Sequence, residues 1–175
     1  MYKSPFYRTL YVMSLFCLFA CNQETNTKTF YAGTADIEEE KGFLMEITQP
    51  AGSGSTHAFL PYPANYGVFT ENPNVEVVAI MNQLDKGTQV AVYPIATLVL
   101  KDAGKERPII VTTPIDTAQQ VIPIMNFQDF LVQQIGPRQI IQDWFLYEKG
   151  LGKVDLVGWK EESYAWKLLK EGIEK

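Results

Sequence analysis

Phe59-Leu60-Pro61-Tyr62-Pro63-Ala64-Asn65-Tyr66-Gly67-Val68-Phe69 is the stretch on which the reading of this chain turns. Two prolines fix the backbone early, and Gly67 frees it late. Two tyrosine hydroxyls and one amide fall between apolar anchors. The combination predicts an ordered turn with polar tips feeding a strand, rather than a linker. Taken alone, it suits a corner of the core equally well.

Outward from this stretch the chain alternates short strands with small turns. Upstream, Phe43–Thr48 alternates as a first strand, followed by a Gly/Ser-rich segment, Gln49–His57, read as a flexible turn. Gly52-Ser53-Gly54-Ser55 lacks the lysine and the helix of a phosphate loop. Downstream, Val75–Met81 and Gln89–Leu100 are β-branched runs joined at Asp85-Lys86-Gly87, with Pro94 marking a bulge or an edge. Ile109–Val111 begins a further strand that ends near Pro114, and Lys153–Gly158 reads as another. Pro137 suits the first turn of a helix to Tyr147, with Ile140, Ile141, Trp144 and Phe145 inward. Gly150 and Gly152 break it. A last helix, Glu161–Glu174, turns Ala165, Leu168, Leu169 and Ile173 inward. The predicted class is α+β: a small five-stranded antiparallel β-barrel, OB-like, with two flanking helices.

With 175 residues, 46% hydrophobic and 13% aromatic, the chain can bury a core as one domain. A net charge of −5 with dispersed Lys and Arg argues against nucleic acid as a partner. Lys3 and Arg8 precede an apolar run, Thr9–Ala20, too short for a comfortable membrane span. The run ends in Leu18-Phe19-Ala20-Cys21, which resembles a bacterial lipobox with Cys21 as the lipid-modified residue. The organisation read from this is a signal peptide at 1–20, a polar tether at 21–42 and a domain at 43–175, held in the cell envelope through lipid on Cys21. Cleavage would remove Lys3 and Arg8, leaving 13 of the 15 basic residues against all 20 acids. No thiol would remain for a disulfide or a zinc site. Glu38-Glu39-Glu40 and His57 read as solvated surface.

The Tyr62–Gly67 run closely resembles the approach to the active site in the family I soluble inorganic pyrophosphatases. Those proteins carry Tyr-Pro-x-Asn-Tyr-Gly, a short loop, then Asp-x-Asp-x-x-Asp. Lys101-Asp102-Ala103-Gly104 with Ile109-Ile110-Val111 is similar to their later acidic turn and strand. Gly150-Leu151-Gly152-Lys153-Val154 through Gly158-Trp159 is similar to their late glycine turn and strand. The likeness runs from Phe43 to Lys175 in order. It implies their barrel, diphosphate or another phosphate as ligand, and Mg²⁺ as cofactor if the protein is active.

Hydrolysis of a phosphoric anhydride is mainly positioning and charge neutralisation. Mg²⁺ held by several carboxylates activates a water, while cations hold the phosphates. By resemblance, Glu46 takes the place of a metal-facing Glu, and Tyr66 that of a catalytic, substrate-binding tyrosine. Asp102 falls on an acid of the later turn, Glu106 near its second acid, and Arg107 near a phosphate-binding lysine. Aligning Val77-Val78-Ala79 puts Glu76 on the third Asp of the central cluster, where it would serve metal and catalysis, and Glu71 on the first. Pro73 then falls on the middle Asp, the family's base, and proline carries no acid. The family's late Tyr-Lys pair falls on Phe145 and Leu146, and a hairpin bearing a Lys, a Glu and an Arg is reduced to the short turn at 49–57. Three functions stay open: a pyrophosphatase-like envelope lipoprotein with a degenerate site, a working Mg²⁺-dependent diphosphatase, and a non-catalytic interaction module. The oligomeric state is not legible.

Overall fold

The computed structural model describes residues 41–55 and 58–173. The signal peptide, Cys21, most of the tether and His57 therefore lie outside the described residues. Six strands follow in order: β1 (Phe43–Gln49), β2 (Asn65–Phe69), β3 (Asn72–Ala79), β4 (Gln89–Asp102), β5 (Lys105–Pro114) and β6 (Val154–Glu161). Three α-helices accompany them among the described residues: α1 (Phe127–Val132), α2 (Ile135–Tyr147) and α3 (Glu162–Ile173).

The strands pair in the order β1-β2-β3-β5-β4-β6, and β1 also pairs with β4. Five strands thus close a ring, and β6 lies outside it on β4. One junction departs from the expected antiparallel barrel: β3 and β5 run parallel, with Glu76 opposite Ile109 and Val78 opposite Val111. Parallel neighbours need a crossover, and here β4, which lies between them in sequence, provides it. β4 reaches two partners because it bends. Gln89–Val92 pairs with β1, Ala96–Asp102 pairs with β6, and its ladder with β5 slips between Pro94 and Ala96. Proline has no N–H for a ladder, so the expected bulge falls where Pro94 stands.

Local chemistry sets the turns. Ala103 and Gly104, with φ of 49° and 82°, form a two-residue hairpin between Asp102 and Lys105, the positive-φ geometry that matches strand twist. The 49–55 segment, expected to be flexible, is tied down: Gly52 N–H donates to Tyr62 O at 2.8 Å, and Tyr62 N–H to Ser53 O at 3.0 Å. Gly67 is needed for space rather than for backbone freedom, since a Cβ there would stand 1.9 Å from the Glu46 carbonyl oxygen.

Two cores lie on opposite faces of the ring. Met45, Ile47, Phe69, Val77, Val92 and Ile110 come from all five ring strands and fill its interior, and Ala165, Trp166 and Leu169 of α3 pack against them. On the outer face, Val78, Leu98, Leu100 and Ile109 meet Phe130 of α1 and Ile141, Trp144 and Phe145 of α2. Burying each such side chain contributes about 1.5–3 kcal/mol. Ile140, expected inward, is 59% exposed. The buried stripe of α2 is Ile141, Trp144 and Phe145, and continuing that spacing reaches residue 148.

Candidate functional site

The candidate site lies on the outer face of the ring, beside the C-terminal end of α2. Side chains opposite one another in paired strands share a face. Val68 stands opposite both Glu46 and Glu76, and Ile109 is opposite Glu76. Glu46, Val68, Glu76 and Ile109 therefore form one row. Tyr66 and Arg107 lie two residues along their strands from that row, on the same face.

Glu76 is the centre of the cluster. Tyr66 Oη donates to its Oε2 at 2.9 Å. Arg107 Nε donates to Oε1 at 2.8 Å and to Oε2 at 3.1 Å, and Arg107 Nη2 donates to Oε2 at 2.7 Å. Both carboxylate oxygens are thus engaged. Arg107 turns its remaining fork edge, Nη1, to Oε1 of Glu148. The guanidinium also lies 5.6 Å from the centroid of the Phe145 ring. Beside this triad, Lys149 Nζ is paired with Asp102 Oδ2.

Aromatic packing fixes the tyrosine. Tyr62 stacks on Tyr66 with centroids 5.5 Å apart and packs tilted against Trp144 at 4.4 Å. Phe145 stands 6.0 Å from Tyr66. Trp144 Nε1 donates to Leu60 O at 3.1 Å, which docks α2 onto the 59–69 stretch. Asn65, fully buried, anchors the same stretch from behind. Its Oδ1 accepts from Ala51 N at 3.0 Å and Leu84 N at 3.2 Å, and its Nδ2 donates to Asn82 O at 2.8 Å.

These contacts set the protonation states. The Tyr66 phenol is held well above its usual range, first by burial and then by the Glu76 charge. Burial and the Glu148 charge push Tyr62 up in the same way. Burial works against the Arg107 charge, but Glu76 and Glu148 outweigh it and hold the guanidinium protonated. The hydrogen bond from Lys149 holds the Asp102 carboxyl below its usual range. The site thus sets three acidic side chains, Glu76, Glu148 and Asp102, against two basic ones, Arg107 and Lys149, all paired.

The other residues singled out in the sequence are more dispersed. Glu46 shares the face of Glu76, but β2 lies between them, and two strand spacings separate their backbones by about 10 Å. Glu71 sits exposed in the Thr70-Glu71 turn between β2 and β3. Glu106 is exposed opposite Lys101, and alternation turns it to the strand face opposite Arg107. Pro73, Asn74 and Val75 bulge out of the β2–β3 ladder, which jumps from Glu76 to Asn72. The Asn74 N–H donates to Asn72 Oδ1 at 3.0 Å. Phe145 is buried, Leu146 is half-buried, and Tyr147 is 53% exposed. Among the described residues, no three His, Cys, Asp or Glu side chains converge to hold a metal ion.

Glu148 was missed in the sequence, although a signal was present. It continues the Ile141-Trp144-Phe145 stripe at helical spacing, and a charged residue on a buried stripe is seldom left unpaired. It is also an acid at the C-cap of α2, where the helix dipole disfavours negative charge. Both features demand a cation, and Arg107 is that cation.

Comparison with known proteins agrees with this architecture. A family model described as inorganic pyrophosphatase matches residues 27–175. The chain is 28% identical over 129 residues to the inorganic pyrophosphatase of Mesorhizobium japonicum (strain LMG 29417 / CECT 9101 / MAFF 303099), covering 68% of this chain and 71% of that protein. It is similar in fold to the inorganic pyrophosphatase of Neisseria gonorrhoeae, with a TM-score of 0.65 and 21% identity over 78% of this chain and 92% of that one. A vacuolar soluble pyrophosphatase of Trypanosoma cruzi, truncated at its N-terminal domain and solved in complex with PPi, gives a TM-score of 0.66 at 15% identity over 82% of this chain and 71% of that one. The structural likenesses establish the fold alone, whereas the family match spans most of the sequence. The chain belongs to the inorganic pyrophosphatase family and carries the scaffold of its soluble family I members.

Proposed function

We propose that this protein is a pyrophosphatase-like component of the cell envelope whose hydrolytic site is degenerate. One observation carries the reading: the Glu76 carboxylate gives both of its oxygens to Arg107 and Tyr66. Members of this family depend in general on Mg²⁺. A hard divalent ion needs several oxygen donors around one point. The donor set here does not fit that demand. Glu76 is committed to Arg107, Asp102 to Lys149, and Glu46 stands two strands away from Glu76. Glu71 and Glu106 are turned elsewhere, and Pro73 occupies the position that resemblance assigns to the family's base.

The phosphate grip is reduced in the same way. By resemblance, Phe145 and Leu146 take the places of a family tyrosine and lysine. Each charge-assisted hydrogen bond lost is worth about 1.5–3 kcal/mol, so losing several would lower a rate by orders of magnitude. Retention at the envelope rests on the Leu18-Phe19-Ala20-Cys21 sequence, with lipid on Cys21 as the anchor. Calorimetric titration of Mg²⁺ into the full chain tests the site: no saturable binding at millimolar ion is expected, and tight stoichiometric binding overturns the reading in favour of a working diphosphatase. Labelling with a radioactive fatty acid tests the anchor. Label that survives Cys21→Ser, or label that never appears, removes that part of the proposal.

A further inference from the structure

We propose that Glu148 is the resident oxyanion of the Arg107 guanidinium, so that a phosphate group enters this site only by displacing a side chain of the protein itself. The inference deepens the degenerate-site reading and rests on it, because it names what fills the grip that substrate would otherwise use.

Three observations carry it. First, every nitrogen of the guanidinium already faces a carboxylate: Nε and Nη2 face Glu76, and Nη1 faces Glu148. A planar fork of this kind matches a carboxylate or a phosphate equally well, so the two anions compete for one set of donors. Second, the two carboxylates are not equivalent. Glu76 lies within a strand of the ring and is held by a second donor, Tyr66. Glu148 ends α2, just before the Gly150 and Gly152 turn, and Arg107 is its cation. It is the carboxylate that can leave with least loss of pairing to the rest of the site. Third, Glu148 is buried, at 8% exposure, beside the helix end whose dipole opposes its charge. A buried carboxylate in that position is costly unless its partner is always present.

The neighbouring Lys149 repeats the arrangement with Asp102. Both cations of the site are thus neutralised by carboxylates of this chain. A phosphate dianion meets a cluster of net charge −1 rather than +2, and repulsion adds to the competition.

The test uses the full chain and inorganic phosphate as the probe, with binding followed by calorimetry and by the ³¹P resonance. Glu148→Gln keeps the shape and removes the charge, and it is expected to tighten phosphate binding about ten- to a hundredfold, the value of one charge-assisted hydrogen bond. Glu171→Gln, which makes the same charge change on α3, is expected to leave binding unchanged. Adding Arg107→Gln to Glu148→Gln is expected to abolish the gain. Glu148→Asp retains the charge but retracts it by one methylene. It should give a smaller gain in the same direction, and it serves if Glu148→Gln does not fold. No gain in either Glu148 variant, or an equal gain in Glu171→Gln, overturns the inference. A phosphate-release assay on the wild type separates the two ideas. Rapid turnover of diphosphate refutes the degenerate-site reading, whereas absent turnover with unchanged phosphate affinity in Glu148→Gln refutes only the role of Glu148.

Discussion

Replacing Arg107 by glutamine should destabilise the protein through charge rather than through packing. The substitution removes the cation that bridges Glu76 and Glu148 and leaves two carboxylates facing each other across its place. Removing one partner of a buried ion pair costs about 3–5 kcal/mol. The side chains here are 18%, 23% and 10% exposed for Arg107, Glu76 and Glu148, so solvent screens part of that cost and we expect about 2–4 kcal/mol. For a chain of this size the midpoint of thermal unfolding would fall by about 6–12 °C. Urea unfolding followed by circular dichroism measures the free energy directly. The mechanism has its own signature: adding Glu148→Gln to Arg107→Gln should restore about 1–2 kcal/mol, because it removes one of the two stranded charges. A loss below about 1 kcal/mol for Arg107→Gln, or a double variant that is weaker than the single one, would refute the reasoning.

Gly67→Ala should cost more than any other single methyl in the barrel, because its Cβ would stand 1.9 Å from the Glu46 carbonyl oxygen. The expected outcome is separation of β1 from β2, read as lost amide protection in both strands, and a stable variant with unchanged protection would contradict it. Asn65→Ala removes three hydrogen bonds that join the 50–51, 65 and 82–84 segments. It should cost about 2–4 kcal/mol in urea unfolding. Tyr66 is held above the usual phenol range, so the stability it confers is complete below pH about 10 and is lost as pH rises beyond that value. Ultraviolet titration of Tyr66→Phe should therefore match the wild type up to pH about 11, and a missing phenol below that pH would show that the ring is not held as described.

Much of the architecture is legible in residue order. Phe43, Met45 and Ile47 alternate because one face of β1 fills the ring, and Pro94 marks the bulge because it has no N–H to pair. Ring closure is not legible in this way. It depends on β4 meeting β1 with one half and β6 with the other, a tertiary choice that no local pattern states. Periodicity places Ile141, Trp144 and Phe145 of α2 inward correctly and errs only at Ile140. Counting Ile140 inward conceals Glu148, whereas the stripe from Ile141 through Trp144 and Phe145 points to it. The 59–69 stretch was rightly read as ordered, but Asn65 is a buried hub rather than a polar tip, and Gly67 supplies room rather than freedom. Glu46, Tyr66, Glu76, Asp102 and Arg107 were singled out by resemblance. Of these, only Tyr66, Glu76 and Arg107 touch one another, because strand register, not sequence spacing, decides which acids meet.

On the proposed reading, Glu76, Glu148 and Asp102 are spent on Arg107 and Lys149, and Glu46, two strands away from Glu76, cannot cage a catalytic ion by itself. Phosphate release from diphosphate by the full chain, at millimolar Mg²⁺ and neutral pH, tests it most directly. The account predicts release indistinguishable from a heat-denatured control. Turnover in the ordinary enzymic range of about 1–10³ per second would contradict it.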